Sequence, residues 1–466
     1  MLPHNLTLGL EHLRQPRLLK PICENMLGTS GLPQASLLQG IDGLFCEDAV
    51  SQVLAWEMPP NLPFGTNPDD RWKTVSSLQK AIRFGDVHSA MVAAHAAYGM
   101  DPRHLLRRLV VCALEDVCLG NLYAVGTALA LAGDKASRDL AGDQKTMVWL
   151  AAQLASGWKD RTACNLCTIV CHDLSLQEAI SSWANLPDED LSEKATEMER
   201  PVGERMLAAW LLAGTKRYGG RNLPAYNGRP RWALMRLMVQ SGMPLLFYWL
   251  ADRAAMRGGG AMFVALLPIW QALRDSDEET LVLRTNKIPD RPLIGGLLAQ
   301  AYDMYTREGQ KALRKFGWIP EIARVLGDIP IPENRIPALF HAVFILEGSI
   351  LNLRVSLPEI DRIHFESVRV EIGGFGLPRV ADQQNLFRLI SEHLGELHQA
   401  RVRAVQQPPS ETDFQAHTAA KVAQPSITPV QGELAVHEAY KPTNASSLRQ
   451  IPDVDLTDSI GWPKPA

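Results

Sequence analysis

The chain has 466 residues, 46 % of them hydrophobic and 21 % charged, with a formal net charge of −4 and a pI near 6.3. That length supplies two or three domains with ample core. The near-neutral balance excludes a globally basic nucleic-acid coat but leaves room for a local basic patch.

The opening MLPHNLTLGLEHLRQPRLLK carries His and Glu where a secretion signal needs an apolar stretch. No uninterrupted apolar run reaches the roughly 18 residues of a membrane span. The nearest, GMPLLFYWLADRAAMRGGGAMFVALLPIW, is interrupted by Asp252, Arg253 and Arg257 and reads as a buried helical hairpin. Seven cysteines, odd in number and sparse, suit a reducing compartment. A cytoplasmic protein with no membrane contact is expected.

Residues 1–70 are rich in Pro and Gly and read as a strap or linker. One or two short helices are expected in GLPQASLLQGIDGLFCEDAVSQVLAW. From Trp72 the helices follow closely. Leu78 and Ile82 share one helical face, and Gly85 ends that helix. Asp86 caps a second helix through Ala90, Met91 and Ala94. Asp101-Pro102 opens a third as N-cap and first helical residue.

The third helix carries Arg103, Arg107 and Arg108 near its start and Glu115 and Asp116 near its end. This is the reverse of what the helix macrodipole favours, at roughly 0.3–1 kcal/mol per charge. Arg103 and Arg107 are also like charges at i,i+4. The five are expected to form a charge network with other helices or another subunit.

These segments carry a family likeness. SSLQKAIRFGDVHSAM followed by DPRHLLRRLVVCALEDVCLGN resembles the helical C-terminal region of the RarA/MgsA-type replication-associated AAA+ ATPases. There a similar helix pair precedes a DP…RRL…SEDIG helix. The matching positions are Lys80, Ile82, Arg83, Asp86, Asp101, Pro102, Arg107, Arg108, Leu109, Glu115, Asp116 and Asn121, and the likeness continues toward Lys159–Ile169. A weaker one, in Ala301–Phe316, is similar to a D-x-HT-x-x-G segment of phage-type proteins carrying this helical domain. Tyr305 stands where that pattern has His. No G-x-x-x-x-G-K-[ST] phosphate loop occurs, and only residues 1–71 precede the match, too few for an ATPase module. The resemblance therefore implies a collar-like oligomerisation domain over residues 71–200, tetrameric as in that family, without ATP hydrolysis.

Further along, DLSLQEAISSWANL reads as a helix capped by Ser175, with an acidic segment after Pro187. Residues 201–405 read as a second helical domain rich in Ala, Leu and Met. Within it a strand pair is expected at NLRVSL and HFESVRVEIGG, with IGGFG (Ile372–Gly376) as its turn. A last helix spans ADQQNLFRLISEHLGELHQARVRAV. Residues 406–466 turn to Pro, Gln, Ser and Thr, a composition expected to stay disordered. The fold class is therefore mainly α, with a disordered C-terminal tail.

Chemistry-bearing patterns are few. Cys164, Cys167, Cys171 and His172 have the count of a metal site. They lie on one helix, however, where i, i+3 and i+7 make the thiols a buried stripe, so no metal or cofactor is expected. Lys216, Arg217, Tyr218, Arg221, Tyr226, Arg229, Arg231 and Trp232 mix cations and aromatics around Gly and Pro. That mixture suits single-stranded nucleic acid. Arg307, Lys311, Arg314 and Lys315 form a second basic cluster at helical spacing. The terminal Ile451, Asp453, Asp455, Leu456, Ile460 and Trp462 read as a tethered hook for a protein partner.

The leading expectation is a non-enzymatic DNA-metabolism factor or oligomeric scaffold, phage- or mobile-element-encoded. A helical protein-binding or structural protein without nucleic-acid contact is the alternative. An enzyme with a dispersed site is the third reading.

Overall fold

The computed structural model describes residues 10–13, 15–62, 71–214, 232–257, 260–274 and 281–406. Helix accounts for 74 % of it, and the strands form two small antiparallel pairs, so the chain is mainly α as expected. The basic segment Lys216–Arg231 and the tail 407–466 with its proposed hook lie outside the described residues.

Helix α1 (Ala35–Ala55) is a single 21-residue helix where short pieces were expected. Its two glycines, Gly40 and Gly43, have nothing within 4 Å of a would-be Cβ. They loosen the helix without cutting a packed face, while Ile41, Phe45, Cys46 and Ala49 enter the core. The N-terminal segment is thus part of the main core. Phe45 stacks on Trp249 at a 5.0 Å centroid separation.

The helices that follow are punctuated as the sequence suggests. α2 (Arg71–Phe84) ends at Gly85, whose φ of 69° favours glycine. Asp86 accepts a hydrogen bond from Ser89 N and caps α3 (Val87–Met100). Asp101 accepts from His104 N and caps α4 (Pro102–Cys112).

The helical run then breaks its pattern. Residues Ala113–Val117 form a π turn and Cys118–Asn121 a 3-10 turn before α5 (Leu122–Gly133), which Asn121 caps through Ala124 N. Cys118 adopts φ 34°, the one positive-φ non-glycine among the described residues. The run Pro102–Gly133 is long and apolar enough to cross a membrane by composition, and 83 % of its most apolar window is buried inside the protein, as in a core helix.

Then come α6 (Lys135–Ala141), α7 (Asp143–Ser156), α8 (Thr162–His172), α9 (Gln177–Trp183), α10 (Asp188–Thr196) and α11 (Val202–Leu212). Asp173, rather than Ser175, accepts from the backbone ahead of α9, bonding Ser175 N. After α12 (Trp232–Gln240), α13 (Leu245–Met256) and α14 (Leu266–Arg274) form the expected buried apolar pair.

Strand β1 (Val282–Thr285) pairs antiparallel with β4 (Leu353–Ser356), Val282 opposite Ser356 and Thr285 opposite Leu353. Between them, β2 (Leu293–Ile294) and β3 (Leu297–Leu298) close over Gly295 and Gly296, both at positive φ. Helices α15 (Arg307–Phe316), α16 (Pro320–Gly327) and α17 (Pro332–Val343) lead to a second π turn, Phe344–Gly348.

Three expectations for the C-terminal part need correction. The partner of NLRVSL is β1, some seventy residues upstream; HFESVRVEIGG belongs to α18 (Pro358–Gly373). Pro358 at its first position, with Glu359 and Asp361 in the first turn, starts a helix despite the alternating apolar residues. IGGFG is accordingly a helix end, with Gly374 as C-cap. The last helix is two, α19 (Val380–Glu392) and α20 (Leu394–Gln406), divided at His393.

One apolar cluster takes residues from Leu10 to Leu298 together with Val355, Leu357, Ile360, Ile363 and Val370. The boundary expected at residue 200 falls inside it, because Leu191 and Ala195 share it with Met206 and Leu207. A second cluster collects residues between Met304 and Leu397. Helix α18 contributes to both, through Ile363 and Val370 to the first and Val368 and Ile372 to the second.

Glycines provide a test of opposite signs. A Cβ at Gly120 would sit 2.3 Å from Lys159 N and Trp158 C, rigid backbone that cannot yield. Gly120→Ala should destabilise the protein by about 1–3 kcal/mol or more. Gly43→Ala, in open space within α1, should stabilise it by about 0.5–1 kcal/mol. Denaturant unfolding of both variants reads the two signs.

Candidate functional site: a buried charge cluster and a basic face

The two π turns face each other across a set of buried charges. Arg83, fully buried on α2, donates from Nε to Asp116 Oδ1 (2.7 Å) and from Nη2 to Glu115 Oε1 (3.2 Å). Its Nη1 donates to the Gly348 carbonyl at 2.8 Å. Arg161, just ahead of α8, pairs with the same Asp116 Oδ1 and reaches Glu115 Oε1 at 3.5 Å. One turn back on α2, Lys80 pairs with Asp303, and Ser76 Oγ donates to that carboxylate at 2.7 Å. The Phe344 ring lies 5.6, 5.3 and 6.0 Å from the cationic ends of Lys80, Arg83 and Arg161. Beyond it Arg401 pairs with Glu347 and donates from Nε to Tyr302 O at 2.9 Å.

Local sequence sets each of these. The π turn advances the backbone so that the adjacent Glu115 and Asp116 both reach one side of α2. Arg161 is held by the neighbouring Lys159, whose N donates to Leu353 O (2.8 Å) and whose O accepts from Val355 N (3.0 Å), a bridge onto β4. Gly120 lets the 3-10 turn meet Trp158 and Lys159 at close range.

Chemically the cluster is closed. Lys80, Arg83 and Arg161 are balanced by Glu115, Asp116 and Asp303. Burial pushes the Cys164 thiol well above its ordinary range despite the nearby Arg161, which keeps it protonated and unsuited to nucleophilic work. The other two thiols of the stripe, Cys167 and Cys171, are buried on α8. Among the described residues no group of three His, Cys, Asp or Glu side chains is arranged to hold a metal ion. The cluster joins elements of the two apolar clusters.

The expected five-residue network therefore divides. Glu115 and Asp116 have cross-helix partners, but those are Arg83 and Arg161, not the arginines of their own helix. Arg103 and Arg107 are exposed and Arg108 is half-buried. Beside them lies the first turn of α2. Trp72 is 53 % exposed, with the Arg71 guanidinium 5.2 Å from its ring and His104 edge-on at 5.5 Å. Burial, then Arg108 and Arg71, hold His104 below the usual histidine range. Asp101, 3.8 Å from Arg71, is the acid in this neighbourhood.

Several of these residues escaped the sequence reading. Glu347 and Arg401 had no signal, while Arg161 and Asp303 lay in the two resembling segments without anything to place them beside α2. Lys80 and Arg83 were among the positions of the family likeness, and both lie in a stretch of α2, Thr74–Phe84, that is buried on all sides. Trp72 and Arg71 carried a signal too, as an aromatic–cation pair in the first turn of that helix.

Removing one partner from the cluster leaves a buried charge uncompensated. Asp116→Ala should cost about 3–5 kcal/mol in unfolding free energy. Adding Arg83→Met to it should cost less than the sum of the single changes, which a double-mutant cycle reads directly.

A separate signature comes from Lys159, whose Nζ donates to Ala155 O (2.8 Å) and Gly157 O (2.6 Å). Burial lowers its pKa to about 7, against a partial opposing pull from Asp116. Between about pH 7 and the ordinary lysine pKa near ~10.4 the unfolded chain binds the proton that the folded chain has lost. Stability should therefore rise with pH across that window relative to Lys159→Met, and the difference should level off below it. Urea unfolding of both proteins at a series of pH values checks this.

Compared with family models, curated proteins and solved structures, the chain finds no match, so the functional reading rests on its own residues and geometry.

Proposed function

We propose that this chain is a non-enzymatic, nucleic-acid-binding scaffold of DNA metabolism, with α4 and the first turn of α2 as a binding face. One observation carries this reading. The acids of the helical run are withdrawn into the core, and its arginines stay outside next to an exposed tryptophan. Phosphates need cations, and unstacked bases need an aromatic platform; Arg71, Arg103, Arg107 and Trp72 supply both. Self-association belongs to the same reading, tetrameric in the family that the α2–α5 sequence resembles.

The residues shared with that family fit a structural role. Lys80, Arg83, Glu115 and Asp116 lie in the buried cluster, and Asp86, Asp101 and Asn121 are helix caps. This favours an assembly module over a chemical one.

A salt titration of labelled oligo-dT binding tests the proposal. Arg103→Ala with Arg107→Ala should weaken binding and flatten the slope of log K against log salt by about 0.7 per lost contact. Trp72→Ala should weaken binding and leave that slope unchanged. Wild-type affinity in both variants, or no binding by the wild type at low salt, would remove the proposal.

A further inference from the structure

A second basic–aromatic surface adjoins the first. Helix α15 buries Gly309, Ala312, Leu313 and Phe316 and turns Arg307, Arg314 and Lys315 outward, where they make no ion pair among the described residues. Lys311 lies half-buried on the same helix. Directly after it Trp318 is 81 % exposed, a large aromatic left in water at the end of a cationic helix.

The two surfaces meet at the first turn of α2. Lys73, the neighbour of Trp72, pairs with Glu308 at the start of α15 (3.3 Å), and its ammonium lies 5.9 Å from the Tyr302 ring. Glu308, Asp101 and Asp303 are acids near this junction, each already held by a cation of α2. Between the exposed Arg103 and Arg107 of α4 and Arg307, Arg314 and Lys315 of α15, α2 places Arg71 and Lys73, both partly buried and paired. Helix spacings of ~8–10 Å and a ten-residue helix of ~15 Å give a path of roughly 35 Å.

We infer that single-stranded nucleic acid is bound along one track, from α4 across the first turn of α2 onto α15, with Trp72 and Trp318 as its two stacking platforms. This rests on the proposed binding face and extends it. A cation row alone suits any polyanion, but exposed tryptophans at two points of the row favour bases that can leave the stack. A duplex, whose bases are already stacked, would gain less from them.

The test compares labelled oligo-dT of about 6 and about 20 nucleotides by fluorescence anisotropy on the full chain. Trp318→Ala should weaken binding of the long oligomer about tenfold. Trp318→Phe should restore most of it. Arg314→Ala with Lys315→Ala should weaken the long oligomer more than the short one and flatten its salt dependence. All these residues are exposed, so the variants should keep the wild-type circular dichroism.

If the α15 variants bind the long oligomer like the wild type and the Arg103→Ala, Arg107→Ala protein does not, the track is wrong and the α4 face stands. If neither set loses affinity, both fall. Equal binding of polyglutamate, unaffected by Trp318→Ala, would mean that the surface reads charge alone and would overturn the track as well.

Discussion

Arg83 is the constraint around which the molecule is arranged. A guanidinium with no exposed surface must have its donors met, and it meets them from two distant turns: Glu115 and Asp116 on one side, the Gly348 carbonyl on the other. Those turns belong to different parts of the chain, and the two apolar clusters come together where they do. Burying ion pairs returns little net stability against an apolar replacement of the same shape. Its consequence here is register. Sliding α2 by one residue against either turn would strand a charge in the core, whereas the surrounding Leu, Ala and Ile contacts would tolerate the shift far better.

Backbone irregularity is what makes this arrangement possible. Each π turn sits where an acid must reach inward, Glu115 and Asp116 in the first and Glu347 in the second. The cost is visible beside them. Cys118 holds φ 34°, and Asp116 Oδ2 and Glu347 Oε2 accept no hydrogen bond. Gly309 plays a matching part for Asp303, since a Cβ there would stand 2.0 Å from the Asp303 carbonyl oxygen. These are places where local preference yields to the demands of the charge cluster.

Legibility in the sequence follows the range of the interactions. Caps are local, and Gly85, Asp86 and Asp101 could be read from neighbours within one turn. So could the thiol stripe of α8 and the buried pair α13–α14. The β1–β4 pairing joins Val282 to Ser356 and leaves no adjacent partner to find, so the alternation in α18 mimics the missing strand. Two glycines suggested that α1 breaks, because propensity does not say which side of a helix they occupy. The charge cluster was half legible. Its α2 and π-turn members lie in recognisable segments, and the cations and acids from 161, 303, 347 and 401 meet only through tertiary packing.

The separation of arginines from acids on the Pro102–Gly133 run follows from the same irregularity. Arg108 and Glu115 are seven residues apart, nearly two full α-helical turns, and an uninterrupted helix would carry both on one face. There Glu115 would share a face only with Arg108, two turns away, while Arg103 and Arg107 would lie on another side of the helix. A wider turn beginning at Ala113 rotates everything after it, which carries Glu115 and Asp116 under α2 and leaves Arg103 and Arg107 outside. The interior thereby gains the two carboxylates that Arg83 and Arg161 require. The exterior keeps Arg103 and Arg107, which lie two to three turns before the acids. The register of the core thus depends on one backbone feature.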